Sequence, residues 1–518
     1  MPNPLLQPWT GAYDLPNFAE IELSHFRPAF DAALAEQEAE FEAIAGSAET
    51  PGFANTIEAL ERHGQLLDRV GAIFWNRASG DTNPEIQEIE REIGPRLSQH
   101  FSRQLTDPRI FARIEAVVAQ GTDGLTPEQA RVLDKTHQMY VRAGAKLDDA
   151  GKARMSEIMS RLSELGTAFG QTVLKDEADW SMALGADDLD GLPQFLIDSA
   201  RSEAESRGVE GYVITLSRSS VEPFLTFSTR RDLREKAHRA WAGRGEGSNW
   251  PLIAETVKLR HERARLLGYK SFAEYKLDDQ MAKTPARVRE LLMAVWEPAK
   301  ARAGEEAAAL QALAAEEGAN IELAPWDWRH YAEKVRKRDH DLDEAEIKPY
   351  LKLENMIEAA FDVAGRLFGL SFKPVEVPLP HPDARAWEVL RGETHVGIFV
   401  GDYFARASKR SGAWMSGLRS QQALWAPERP VITNTCNFAK ADPALLSWDD
   451  ARTLFHEFGH ALHGLLSDVT YPFISGTSVA RDFVELPSQL YEHWLSVPEI
   501  LATHARHHET GEPLPRAR

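Results

Sequence analysis

The stretch "LFHEFGHALHG", residues 454–464, holds three histidines and a glutamate within eight positions. Ser447 precedes it as a good N-cap, and Asp449 and Asp450 fall in the first turn, where carboxylates suit the positive end of a helix. Leu454, Phe455, Phe458 and Leu462 supply a face that can bury. The spacing therefore predicts a helix through His456 and His460. These two stand at i and i+4, so both imidazoles leave one face and reach one ion. Glu457, beside the first histidine, is a carboxylate able to take a proton from an attacking water, as in the H-E-x-x-H pattern. The pattern is short and recurs in proteins that hold no metal, so a merely histidine-rich helix is the plain alternative.

A catalytic zinc needs a third protein ligand. His463 points the same way as His456 but lies about 10 Å further along the axis, too far for bonds of about 2 Å to one ion. The longer pattern H-E-x-x-H-x-x-G-x-x-H also fails, because His463 stands where its glycine belongs and Leu466 where its third histidine belongs. The segment "GTSVARDFVELPSQLYEHW", residues 476–494, offers a carboxylate instead. Ser478 is expected to cap a helix carrying Asp482, Glu485 and Glu492, with Pro487 kinking or interrupting it. Glu485 sits between apolar Phe483, Val484 and Leu486, and a charge there is costly to bury unless it is paired or bound to metal. Glu485 is therefore the third-ligand candidate. Asp482 and Glu492 either accept hydrogen bonds from the imidazole N–H groups or form solvated surface.

Most of the remaining chain reads as helix. "SHFRPAFDAALAEQEAEFEAIAG" places Phe26, Phe30, Ala33 and Leu34 on one face and acids on the other. Helices are expected over 53–75, 84–119 and 126–147, the last with Thr126 as N-cap and Pro127 at its first position. Residues 180–230 differ: "GYVITLS" and "PFLTFST" are β-rich runs that suggest a small hairpin insert. A long alanine-rich helix follows from Thr284, with Val288, Leu291, Leu292 and Val295 as its apolar stripe and a kink at Pro298. "AWEVL", "RGET" and "HVGIFVGDYF" read as a hairpin near 386–400, and "PVITNTCNF" as a further strand that can floor a cleft. A domain boundary is expected near residue 150, dividing a helical region 1–150 from a catalytic region 151–518, with lobes built from interleaved segments.

The bulk composition narrows the function. Hydrophobic residues make up 43% of the 518, enough for a substantial core and against a disordered chain. A formal net charge of −20 disfavours nucleic acid and anionic membranes as partners. The single cysteine, Cys436, excludes an intrachain disulfide scaffold. There is no signal-peptide pattern at the N-terminus and no run of eighteen apolar residues, so the expected compartment is the cytoplasm.

"TLFHEFGHALHG" followed by "SGTSVARDFVELPSQLYEHW" resembles the thimet oligopeptidase family of zinc metallopeptidases, and most closely its bacterial peptidyl-dipeptidases. The likeness extends through "FARASKRSGAWMSG" at 404–417, "PVITNTCNF" at 430–438, "DQMAKTP" at 279–285, "AGAKLDDAGKA" at 143–153 and "NFAEIELSHFRPAFDAAL" at 17–34, and so covers essentially the whole chain. The resemblance implies one zinc held by His456, His460 and Glu485, with Glu457 as general base. It implies a mainly α, two-lobed helical ellipsoid with a deep central channel and small β hairpins near the active site. It further implies a monomer that admits short unstructured peptides and releases C-terminal dipeptides, or cuts internally as the oligopeptidase relatives do. Family members continue past the zinc site into a glycine-rich loop and a tyrosine-rich segment that binds substrate and the oxyanion. No such segment follows "YEHWLSVPEILATHARHHETGEPLPRAR", so the chain is expected to be truncated there, and a non-catalytic zinc-containing peptide-binding protein is the third reading. "HARHH" at 504–508 is expected to be the solvated end of a helix.

Overall fold

The computed structural model describes residues 2–340 and 344–515. Its class is mainly α with two small sheets, as expected. The first half is a stack of helices. α1 (Phe26–Ala45) buries Phe26, Phe30 and Ala33, and both phenylalanine rings meet Phe74 edge-on at 5.2 and 5.3 Å. The helix expected over 53–75 is divided into a π-helical turn at Phe53–Glu58, α2 (Ala59–Arg62) and α3 (Gln65–Gly80). The break comes at Gly64, whose φ of 80° only glycine adopts freely and whose missing Cβ leaves room for the Gln37 side chain. The helix expected over 84–119 is likewise two, α4 (Pro84–Leu105) and α5 (Pro108–Ala119). Asp107 restarts the chain by accepting from Arg109 N at 2.8 Å, ahead of Pro108. α6 (Pro127–Ala143) opens on Thr126, whose capping-box partner is Gln129. α7 (Asp149–Asp179) packs along α4.

The insert is an antiparallel pair, β1 (Ser181–Leu184) and β2 (Tyr212–Thr215), but the two strands are joined through α8 (Gln194–Ser206) rather than by a hairpin turn. "PFLTFST" was expected as a β run and instead ends α9 (Arg218–Phe227). Val221, Phe224 and Leu225 are buried there at i, i+3 and i+4, a helical spacing that overrides the β propensity of Phe and Thr. α10 (Arg231–Ala242), α11 (Trp250–Leu266) and α12 (Phe272–Leu277) lead to α13 (Pro285–Glu316), capped by Thr284 and continuous through Pro298. The stripe expected to bury does not. Leu291, Leu292 and Val295 are 68, 60 and 60% exposed, and only Leu310, Leu313 and Ala314 are covered, where α14 (Trp328–His340) packs. α15 (Glu344–Ile347) follows.

The last part positions the site. α16 (Leu353–Phe368) precedes a five-stranded sheet of β3 (Leu370–Val375), β4 (Arg385–Arg391), β5 (Thr394–Phe404), β6 (Trp414–Arg419) and β7 (Val431–Phe438), in the spatial order β3-β4-β5-β7-β6. β4 and β5 form the expected hairpin, and β5 pairs with β7 in parallel. α17 (Trp448–Leu465) lies on β7, and α18 (Glu485–Glu492) packs against α17. Phe458 of α17 enters an aromatic cluster with Phe361, Phe372, Phe399 and Tyr491, at centroid distances of 5.4, 5.6, 5.1 and 5.7 Å. That cluster fixes which face of α17 remains for chemistry. α19 (Pro498–His504) ends at the start of "HARHH", which is not a solvated tail: His504 Nε2–H donates to Asp362 Oδ2 at 3.0 Å, Ala505 is buried, and His508 N donates to Pro349 O at 2.9 Å. No helix among the described residues is long and apolar enough to cross a membrane.

Candidate active site

α17 begins where the sequence predicts. Ser447 Oγ accepts from Asp450 N at 3.0 Å, and Asp450 Oδ2 accepts from Ser447 N at 3.1 Å, a reciprocal cap that sets the rotation of the helix. Phe455, Phe458, Ala461 and Leu462 take the buried side. His456 and His460 come one turn apart on another, their ring centroids 4.9 Å apart and nearly perpendicular.

α18 brings a carboxylate to both. His456 Nε2 and His460 Nε2 lie 3.2 and 3.1 Å from Glu485 Oε2. His456 Nδ1–H donates to Glu492 Oε1 at 2.6 Å, which turns the ring so that Nε2 faces Glu485. One ligand atom from each of His456, His460 and Glu485 lies within 4.8 Å of the others. Two imidazole nitrogens and one carboxylate oxygen are a donor set suited to a divalent zinc, and two ligands about 2 Å from one tetrahedral ion stand about 3.3 Å apart. The residues present fit such an ion.

Glu457 is 5% exposed, and its Oε2 has no hydrogen-bond partner. Burial pushes its carboxyl up to about 7, with Glu485 adding to the rise and the neighbouring His456 opposing it. A buried carboxyl with an unmatched oxygen is costly to the fold, and this one stands beside two histidines that could hold a metal. Burial lowers the His460 and His463 imidazoles below the usual histidine range, with Glu485 opposing the shift at His460. His463 stands outside the ligand group and lines a separate apolar groove with Leu466 and Trp494.

Three expectations about the second segment need correction. Ser478 caps no helix: residues 476–484 form turns, and α18 starts at Glu485 itself. Pro487 therefore falls in the first turn of α18, where its missing N–H costs nothing, and it interrupts no helix. Asp482 does not accept from the imidazoles. Its two oxygens accept from Met281 N at 3.0 Å and Ala282 N at 2.9 Å, tying the turn to the segment before α13. Those amide bonds hold its carboxyl below the usual carboxylate range. Of the two expected acceptors, only Glu492 touches a histidine.

The sequence profile of Peptidase family M3 matches residues 224–518, more than half of the chain. The chain belongs to peptidase family M3. It is 38% identical over 528 residues to the dipeptidyl carboxypeptidase of Escherichia coli (strain K12), covering 99% of this chain and 77% of that protein. It is 32% identical over 545 residues to oligopeptidase A of the same strain, covering 100% of this chain and 78% of that protein. A solved structure, PZ peptidase A with inhibitor 2, shows a TM-score of 0.44 at 16% identity, over 92% of this chain and 70% of that one.

In this M3 peptidase, the close approach of α17 and α18 depends on residues the sequence pattern did not single out. A Cβ on Gly459 would stand 2.6 Å from Ser488 Cα and 2.9 Å from Tyr491 Cβ. Only a glycine lets α18 come near enough for Glu485 to meet the histidines. Ser488, fully buried, donates to Glu485 O at 2.8 Å and lies 3.3 Å from its Oε2, bracing the carboxylate. Tyr491 O–H donates to Ala360 O at 2.7 Å and anchors α18 to α16. A signal for Gly459 was present, since it occupies a variable position of H-E-x-x-H one residue before His460. Nothing in the sequence marked Ser488.

Proposed function

We propose that this M3 peptidase is a zinc-dependent peptidyl-dipeptidase that releases C-terminal dipeptides from short unstructured peptides. The observation that carries the reading is the convergence of His456, His460 and Glu485 beside the buried, half-unpartnered carboxyl of Glu457. The named activity of the E. coli relative at 38% identity supports the dipeptide mode over internal cleavage. His456, His460 and Glu485 would hold one zinc per chain. The ion supplies a Lewis acid for the scissile carbonyl and for the attacking water. Glu457 takes a proton from that water as the carbonyl is attacked, and hands it to the leaving amide nitrogen as the bond breaks. Its carboxyl, pushed up to about 7, suits both halves of that transfer near neutral pH. Glu492 holds the His456 ring through Nδ1, leaving Nε2 for the ion. We further propose a cytoplasmic monomer in which residues 151–518 carry the chemistry and residues 1–150 wall a central channel.

Elemental analysis and a paired peptide assay test this. The wild type should hold one zinc per chain and cleave a short peptide with a free C-terminus well above its C-terminal amide. Glu457→Gln should keep the zinc and lose turnover. Undiminished hydrolysis by Glu457→Gln would sink the mechanism. Equal cleavage of acid and amide would sink the dipeptidase mode and favour internal cleavage.

A further inference from the structure

Release of a dipeptide requires a receiver for the substrate's free carboxylate two residues beyond the scissile bond. Resting on the peptidyl-dipeptidase reading above, we infer that Arg218, flanked by Arg452, receives that carboxylate and sets the exopeptidase mode. A cavity of about 350 Å³ opens directly beside His456 and Glu457, and both arginines line it. Arg218 is the first residue of α9, while Arg452 lies on α17, so the two reach the cavity from different elements. Asn437 also lines the cavity, and its Nδ2–H donates to the carbonyls of Arg410 and Gly412 at 2.9 and 2.7 Å.

The distances suit two residues. Arg452 lies four positions before His456 on α17, about 6 Å along the axis. Asp449, which both arginines grip, lies seven positions before it, about 10 Å along the axis. Two extended residues span about 7 Å from the scissile nitrogen towards the terminal carboxylate. A substrate with its reacting carbonyl at the ligand cluster would thus present its carboxylate between the guanidinium groups. A third residue would overrun them.

Arg218 and Arg452 line the cavity together with four acids, Asp449, Asp450, Glu457 and Glu492. Arg218 Nε lies 3.1 Å from Glu222 Oε1, and its Nη2–H donates to Asp449 Oδ2 at 3.2 Å. Its Nη1 has no hydrogen bond among the described residues. Arg452 Nη2–H donates to Asp449 Oδ1 at 2.9 Å, and Arg329 Nη2–H donates to Glu222 Oε1 at 2.7 Å. Arg218 thus shares Glu222 with Arg329 and Asp449 with Arg452, and Arg452 Nε also lies 3.7 Å from Glu492 Oε2. Of the other acids, Asp450 accepts from the Ser447 amide and Glu492 Oε1 from His456, while Glu457 Oε2 has no partner. Glu222 and Asp449 pre-orient Arg218 through Nε and Nη2 and leave its Nη1 for a carboxylate.

Calorimetric titration with the dipeptide Ala-Phe and with Ala-Phe amide tests the assignment without depending on turnover. It is run beside hydrolysis of one N-blocked tetrapeptide as acid and as amide. The wild type should favour the acid at least tenfold in both. Arg218→Gln and Arg218→Ala should collapse that ratio towards one, a change of about tenfold to a hundredfold. Arg218→Lys, which keeps the charge but loses the fork, should retain part of it. Arg218 is itself 61% exposed, and Glu222 keeps Arg329 and Asp449 keeps Arg452 as partners, so these variants should fold. A wild-type ratio near one, or a ratio unaltered by Arg218→Gln, overturns the assignment. Acid preference in binding that depends on Arg218, with no hydrolysis by the wild type, would keep this site and overturn the peptidase reading instead.

Discussion

Replacing Gly459 by alanine should damage the metal site without touching a ligand. The added Cβ would meet Ser488 Cα at 2.6 Å, Tyr491 Cβ at 2.9 Å and Pro487 O at 3.1 Å. Carbon–carbon contacts prefer about 3.5–4.0 Å, so α18 must retreat by about 1 Å. Two of the three obstacles are backbone atoms and cannot swing aside. Glu485 is the first residue of α18 and moves with it, while metal–ligand distances tolerate only about 0.2 Å. Zinc affinity should therefore fall at least tenfold, and kcat/KM by about a hundredfold, the usual effect of a misplacement of this size. Overpacking should cost about 1–3 kcal/mol. The sign is diagnostic, because alanine is better than glycine in a helix interior by about 1 kcal/mol and would stabilise α17 if the contact were absent. Gly464→Ala is the matched control: the three atoms nearest its Cβ are all in side chains, Ile432 Cδ1 at 2.8 Å, Ile432 Cγ1 at 3.1 Å and Met415 Cε at 3.7 Å, and side chains can rotate. Chelator-competition zinc titration, thermal melting of the metal-free chains and the peptide assay read all three effects. Wild-type zinc affinity and turnover in Gly459→Ala would refute the argument that this close approach builds the site.

Other perturbations separate the remaining parts. Glu492→Ala removes the acceptor on His456 Nδ1 and should weaken zinc about tenfold to a hundredfold with the helices intact, read by the same titration and by circular dichroism. Asp482→Asn should leave zinc affinity within about twofold, because Asp482 serves the Met281 and Ala282 amides. Faster hydrogen exchange over 279–284 is the change expected there. His330 is buried, its Nδ1–H donating to Thr226 O at 3.0 Å, and burial together with Arg234 and Lys334 lowers its imidazole to about 4. A depressed histidine contributes stability that is full above about 6.5 and is lost as pH falls through 4, at most about 3 kcal/mol. Urea unfolding at pH 7, 5 and 4 should show a shallower acid loss in His330→Asn than in the wild type, and parallel curves would remove His330 from the acid limb.

The two motif helices show where sequence reasoning succeeds and where it stops. α17 was legible because its cap, its buried face and its histidine spacing are all local to one helix, and local terms agree there. The start of α18 was not, because Asp482 is held by Met281 and Ala282 from far earlier in the chain, and that tertiary bond keeps 476–484 in turns despite the capping residue Ser478. α9 was misread for a related reason: Phe and Thr favour strands, and only burial at Val221, Phe224 and Leu225 decides for a helix. On α13 the period identified a helix correctly, but periodicity says nothing of what lies opposite, and Leu291, Leu292 and Val295 face outward.

The same division runs through the site. Ligand types and their spacing are properties of one strand of sequence, so His456, Glu457 and His460 could be picked out together, and Glu485 by its apolar neighbours. Gly459 and Ser488 act across the interface between α17 and α18, where one supplies missing volume and the other a hydroxyl against the carboxylate. Arg218 lies on a different element altogether and reaches the cavity only because β2 and α9 turn beside the N-terminal half of α17. The proposed reacting residues are thus written in a motif, whereas what fixes the distance between the candidate ligands, and what would choose acid over amide, is written in the packing around it. Variants at Gly459 and Arg218 therefore probe separable properties: the first should change whether the ion is held, and the second which peptide end is accepted.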